Sequence, residues 1–162
     1  MINDIKIKAL TDKDYGSYNR LFEQVDLIHR EAHPEYFKKS ETVFRSKSYY
    51  QKHLIDPSVL LLGAFSEAGE LMGLVHAVIK EHPQTELHVT GKFVLLDNLV
   101  VDEMYRGKGI GKRLYDQTLL WGKENKAAEI QLKVYDFNES AIEFYRKRGF
   151  EQVSVSMRRK VE

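Results

Sequence analysis

Residues 106–112 read Arg-Gly-Lys-Gly-Ile-Gly-Lys, a composition that does its chemistry through the backbone. Glycine adopts left-handed φ freely and lets a ligand approach the main chain without meeting a Cβ. An apolar-periodic run follows at once, so the turn opens a helix whose first N–H groups have no acceptor within the helix. The macrodipole adds partial positive charge there, and such helix ends bind phosphate. Arg106, Lys108, Lys112 and Arg113 surround the turn with cations. The stretch is suited to a di-anion. Two common phosphate loops are excluded by spacing. The nucleoside-triphosphate loop needs four residues between its glycines and Ser or Thr after the lysine, whereas Gly107 and Gly111 are separated by three and Arg113 follows Lys112. The dinucleotide fingerprint G-x-G-x-x-G ends on Lys112 or on Leu114, depending on where it starts. The plain alternative is a glycine-eased strand-to-helix turn with a solvated basic rim.

Three further places carry reactive side chains. Asp97 and Asn98 interrupt the apolar run "FVLLDNLVV". A carboxylate within such a strand is costly unless exposed or used, so Asp97 either serves the chemistry or faces solvent at a bulge. Alternation predicts that Asp97 and Asn98 point to opposite faces. In "NESAIEFYRKRGF", Tyr145 lies one helical turn past Ala141 on the same face. One of the adjacent pair Phe144 and Tyr145 belongs to the core. Asn138 either caps this helix, contacts a ligand, or does both. "HREAH" places His29 and His33 on one helix face but lacks the Glu of a zinc helix, and no third ligand is evident; no metal is expected.

The elements that must position these groups follow from periodicity. "DIKIKAL" alternates as a first strand. A helix follows Thr11, with Tyr18, Leu21, Phe22 and Val25 at helical spacing, and Pro34 ends or bends it. A short helix spans 47–55. "SVLLLGAFSEAGELMGLVHAVIKEH" reads as two strands of a hairpin turning at 67–70. "FVLLDNLVV" is apolar enough to be central. A long helix then runs to about 125, "EIQLKVY" is a strand, "NESAIEFYRKRG" a helix stopped by Gly149, and "EQVSVSMRR" a last alternating strand. The order is β-α-α-β-β-β-α-β-α-β, a mixed sheet with helices on its faces. At 162 residues without a repeat or linker, the chain is expected to form a single domain, 1–162. With 25 Lys and Arg against 24 Asp and Glu, the net charge of +1 gives no reason to expect nucleic acid as a partner. No run approaches the ~18 apolar residues of a membrane span, the N-terminus has no long apolar stretch, and cysteine is absent. The expectation is a cytoplasmic protein with no membrane partner.

Arg106, Gly109 and Gly111 fit the pattern Gln/Arg-x-x-Gly-x-Gly/Ala in full. Asn138, Ala141, Tyr145, Gly149 and Phe150 fit N-x-x-A-x-x-x-Y-x-x-x-G-F about thirty residues later. On these two motifs the sequence resembles the GCN5-related N-acetyltransferase (GNAT) family, and the element order agrees over nearly the whole chain. The resemblance implies an α/β (α+β) GNAT fold. Its sheet is mixed, mostly antiparallel and twisted, with about six to seven strands and about four helices on its faces, splayed between strands 4 and 5. It implies acetyl-coenzyme A as cosubstrate, no metal, and an amine acceptor, either a small molecule or a protein amino group; a homodimer is left open. It implies direct attack in a ternary complex. Leu99, Val100 and Val101 would pair with the pantetheine arm through backbone. Arg106, Gly107, Lys108, Gly109, Ile110, Gly111 and Lys112 would hold the pyrophosphate, and Asn138, Ala141 and Tyr145 would flank the coenzyme. Tyr145 matches the proton donor to the sulfur. Many relatives carry a carboxylate where this chain has Asn98, which leaves Asp97 as the amine-binding or base candidate beside a water relay. Glu103 departs from a proline common in the family. Open alternatives are a non-catalytic acyl-coenzyme A-binding module and another acyl group.

Overall fold

The structure is a computed structural model of the chain and describes residues 5–42 and 44–161. The chain divides into two compact units, Met1–Leu132 and Lys133–Glu162.

The first unit is built on a sheet in the order β1-β2-β3-β4-β5. Strands β1 (Lys6–Ala9), β2 (Val59–Phe65), β3 (Leu71–Glu81) and β4 (Lys92–Val101) pair antiparallel in sequence order, and β5 (Ala127–Gln131) joins β4 in parallel. The predicted start of β1 at Asp4 lies outside the described residues. The β2–β3 hairpin turns where expected, with Gly69 at φ 83°.

One face of the sheet packs under α1 (Tyr15–Ala32) and α2 (Lys47–Ile55). Tyr18, Leu21 and Phe22 of α1 and Tyr50 of α2 close over Leu61, Phe65, Leu71, Leu74 and Val100. Ser46 caps α2 by accepting from the Tyr49 N–H at 3.2 Å. The predicted Thr11 cap is present one element earlier, in a capping box with Asp14 that opens a 3-10 turn before α1. Helix α3 (Ile110–Glu124) is held close against β3. A Cβ on Gly73 would stand 2.8 Å from the Val100 carbonyl and 3.1 Å from the Ile110 side chain. Ile110 and Leu114 are fully buried as a result. That approach fixes the N-terminus of α3 beside the end of β4.

The β4–β5 ladder is short. Its last pair is Leu95 with Gln131, and residues 96–101 of β4 bond only to β3. The two parallel strands therefore diverge, as the splay between strands 4 and 5 required.

The second unit contains α4 (Glu139–Arg146). Two expectations fail around it. The strand read at 129–135 ends at Gln131, and 151–161 forms no strand, so the sheet has five strands rather than six to seven among the described residues. Alternation supplies a strand with a face but not with a hydrogen-bonding neighbour. Val153, Val155 and Met157 are 69–93% exposed, so the alternating face of this tail is not buried.

Candidate active site

Three parts of the first unit meet around the end of β4. The first is the turn. Gly107 and Gly109 take φ of 74° and 80°, a region costly for residues with a Cβ. Gly109 is the N-cap of α3, so no side chain caps the helix, and its first turn carries no acidic residue. The first N–H groups are left for an anion. Arg106 Nε donates to the Val101 carbonyl at 3.1 Å. Lys108 Nζ donates to the Met104 carbonyl at 3.1 Å and lies over the Tyr105 ring, while Lys112 pairs with Asp116 at 2.6 Å. All three cations are exposed and close to the turn.

The second part is β4 itself. Leu99, Val100 and Val101 pair with Val75, Leu74 and Gly73 on one side. Their other backbone edge has no β5 partner. Val100 is a core residue, so these positions offer main chain rather than side chains to a ligand. An open strand edge running into an uncapped helix N-terminus fits an elongated ligand with amides at one end and phosphates at the other.

The third part is a β-bulge. His76 pairs with Asn98 and Ala77 with Leu96, so Asp97 is the extra residue on β4. The prediction of opposite faces for Asp97 and Asn98 is thereby corrected. Cross-strand partners share a face, so Asn98 lies on the face of His76. Asp97 Oδ2 reaches the same side, 3.7 Å from His76 Nδ1. The unpaired residue breaks strict alternation and puts both polar groups on one side. Asp97 is 41% exposed at its side chain, whereas His76 is 5% exposed. Burial drives the His76 pKa down to about 4; the charge of Asp97 opposes this and His53 and Arg45 reinforce it, so the imidazole is neutral at pH 7.

Asp102 follows β4 and was not singled out from sequence. It is buried, and its carboxylate accepts from Arg20 Nη1 of α1 and from the Met104 N–H at 3.0 Å. Arg20 Nη2 also donates to the Leu71 carbonyl at 3.0 Å. Burial pushes the Asp102 carboxyl up, but the Arg20 guanidinium and the Met104 N–H outweigh it and hold it below the ordinary carboxylate value. The group ties α1, β3 and the entry to the glycine turn together. The sequence signal available was a single Asp closing an apolar strand, the pattern of an Asx cap.

The second motif lies in the second unit. Asn138 is the N-cap of α4 and accepts from the Ala141 N–H at 3.3 Å. Tyr145 is half-buried and packs edge-on against Phe144 and Phe150, with ring centroids 5.2 and 5.3 Å away. Burial raises its phenol to about 12, with Arg148 opposing. A phenol raised that far keeps its proton at neutral pH. Of the two histidines at the end of α1, His29 Nδ1 meets the Val25 carbonyl at 2.8 Å and His33 Nδ1 meets Glu35 at 3.3 Å. Among the described residues no group of three or more His, Asp or Glu stands where it could hold a metal ion.

Comparison with known proteins bears on the fold and the family. A mutant of the BH1408 protein from Bacillus halodurans superposes with a TM-score of 0.92 at 26% identity, covering 97% of this chain and 99% of that one. Glucosamine-6-phosphate N-acetyltransferase from Arabidopsis thaliana shares the fold at a TM-score of 0.70 and 17% identity, covering 99% of this chain and all of that one. Mycothiol acetyltransferase of Propionibacterium freudenreichii is 30% identical over 128 residues, 77% of this chain and 37% of its own length. Streptothricin acetyltransferase A of Bacillus subtilis is 36% identical over 58 residues, 36% of this chain and 34% of its own. The chain thus spans about a third of the length of these two curated relatives. The model of the acetyltransferase (GNAT) family, whose members use acetyl-coenzyme A, matches residues 22–150, and the chain belongs to that family.

Proposed function

We propose that this protein, acting as one domain over 1–162, transfers an acetyl group from acetyl-coenzyme A to a primary amine. The acceptor is a small molecule or a protein amino group, and a homodimer is compatible with this activity. The observation that carries the reading is the continuity of the free β4 edge at 96–101 with the uncapped N-terminus of α3. The backbone of Leu99, Val100 and Val101 would hold the pantetheine amides. The N–H groups of residues 107–112, with Arg106, Lys108 and Lys112 beside them, would hold the pyrophosphate. Asn138 and Ala141 would flank the coenzyme, Asn138 in addition to capping its helix.

Acetyl-coenzyme A supplies an activated acyl carbon. The chain's own residues manage the protons. An acceptor ammonium loses one proton to the Asp97 carboxylate, directly or through water, and becomes nucleophilic. Its lone pair forms the C–N bond, and the C–S electron pair leaves with sulfur. Tyr145 donates its phenolic proton to that sulfur and recovers one from the acylated nitrogen. Asp97 returns its proton to solvent, so the net products are an amide, a thiol and one proton. A peptide N–H on the exposed edge of β4 would donate to the developing oxyanion.

Thermal denaturation with acetyl-coenzyme A, coenzyme A, NAD and ATP, followed by free-thiol release over an amine panel, tests this. Ligand binding to the native state raises the melting temperature by mass action. The expected result is a shift with the two coenzyme A ligands only, and thiol release with one amine class. No shift at saturating acetyl-coenzyme A would overturn the reading. A shift without thiol release would favour a non-catalytic acyl-coenzyme A-binding module.

A further inference from the structure

His76 is the only group on the described β3 whose buried side-chain nitrogen has no partner: Nε2 is enclosed and makes no hydrogen bond. A buried polar atom left unpaired is costly, and an apolar residue would avoid that cost in a strand that also carries Met72, Leu74, Val75 and Ala77. Such an exception calls for a reason. The surroundings supply one. From α2, the His53 ring meets the His76 ring edge-on at 4.9 Å, and His53 Nδ1 is itself engaged by the Tyr49 carbonyl at 2.7 Å. From β4, Asp97 presents Oδ2 to Nδ1 at 3.7 Å. A neutral imidazole carries one proton. The tautomer protonated at Nε2 would leave a buried donor unpaired and turn the Nδ1 lone pair toward a carboxylate. The tautomer protonated at Nδ1 turns a donor toward Asp97 instead, so the carboxylate selects it.

We propose that His76 is a positioning residue for acyl transfer, whose Nδ1–H holds the carboxylate of the bulged Asp97 in the orientation that receives the acceptor ammonium. This rests on the reading of Asp97 as the acceptor-amine carboxylate. The contact at 3.7 Å exceeds hydrogen-bond length, and Asp97 is partly hydrated. A docked amine displaces that water, lowers the local dielectric and draws the pair together, as catalytic hydrogen bonds commonly tighten only once substrate is bound. His76 does not touch the substrate, because its free nitrogen is enclosed. The bulge explains why a second strand is needed at all: an extra residue leaves the ladder, so its side chain is not oriented by cross-strand pairing and must be oriented by another group.

The test compares His76→Leu, His76→Asn and His76→Gln with Asp97→Asn and the Asp97→Asn/His76→Leu double variant. Steady-state thiol release is followed against amine and against acetyl-coenzyme A separately. Melting temperature with and without acetyl-coenzyme A serves as the folding control. Leu removes the donor; the Asn amide N–H falls where Nδ1 was; the Gln amide falls nearer Nε2. The expected result is a loss of about tenfold or more in kcat for His76→Leu, with the KM for acetyl-coenzyme A unchanged. His76→Asn should recover to near wild type while His76→Gln stays impaired. The double variant should be no worse than Asp97→Asn alone, because the imidazole acts through the carboxylate. Should the Leu variant not fold, the Asn and Gln comparison decides alone. Equal activity in the Asn and Gln variants, or additive losses in the double variant, would overturn the proposal while leaving acetyl transfer intact. A wild-type protein that releases thiol with no amine would instead remove the functional reading and this inference with it.

Discussion

At the scale of single residues, charge and burial decide which side chains can act. The Tyr145 phenol is pushed up to about 12 by burial, so it holds its proton at neutral pH, as the proposed donor role requires. Tyr145→Phe keeps the ring packing against Phe144 and Phe150 and removes only the proton. Its kcat should fall about a hundredfold, with acetyl-coenzyme A affinity by calorimetry changed little, because proton donation matters only in the transition state. Parallel losses in both would show that the ring merely packs. Asp102 has a different task. Its carboxylate joins Arg20 to the entry of the glycine turn, and Asp102→Ala should cost about 1–3 kcal/mol in urea unfolding. The Arg20 side chain is 44% exposed and can turn to water, which keeps the loss below that of a fully enclosed pair.

At the scale of elements, the junction of β4, the glycine turn and α3 does the positioning. Gly109 needs its left-handed φ of 80° but no empty space, since a Cβ there would meet nothing within 4 Å. Gly109→Val therefore tests conformation rather than crowding. It should weaken coenzyme A binding tenfold or more, about 1.4 kcal/mol, and unchanged affinity by calorimetry would refute the phosphate cradle. These elements were legible in the sequence because their signals are local. Glycine spacing, a helical apolar period and the Asn138 cap each act within a few residues. A bulge at Asp97 was one of the two readings the sequence allowed, but its geometry was not legible. It is set by the register between β3 and β4, which sequence periodicity does not contain. His76 went unnoticed for the same reason: a histidine in an apolar run has no reading until its cross-strand neighbour is known. The 151–161 tail shows the converse, an alternation that promises a strand where no ladder partner follows from the pattern.

At the scale of the whole molecule, stability should depend on acid in two stages. His76 has its pKa lowered from 6.5 to about 4, chiefly by burial, with Asp97 opposing and His53 and Arg45 reinforcing. The unfolded chain binds this proton more readily than the folded one. The corresponding stability is complete above pH 6.5 and is lost as pH falls toward 4, on the order of 2–3 kcal/mol. Asp102, held below its ordinary value, binds its proton less readily when folded as well, so its contribution is lost at still lower pH. Urea unfolding of the wild type at pH 7, 5.5 and 4 should show the first stage, and His76→Asn should flatten it. A wild-type profile flat between pH 7 and 4 would contradict the neutral, buried state of His76.

The divergence of β4 from β5 has a consequence for how the protein tolerates sequence change. A ligand paired to main-chain N–H and C=O groups at residues 96–101 does not read the side chains attached to them. Under the proposed function, Leu99, Val100 and Val101 would be free to drift among apolar residues of similar volume without altering the ligand bound along them. Selection there acts through packing, as on the buried Val100. Variation that changes the acceptor would then have its natural home elsewhere, at polar side chains such as Asp97. A scaffold that binds its coenzyme through main chain would keep it while its acceptors diversify.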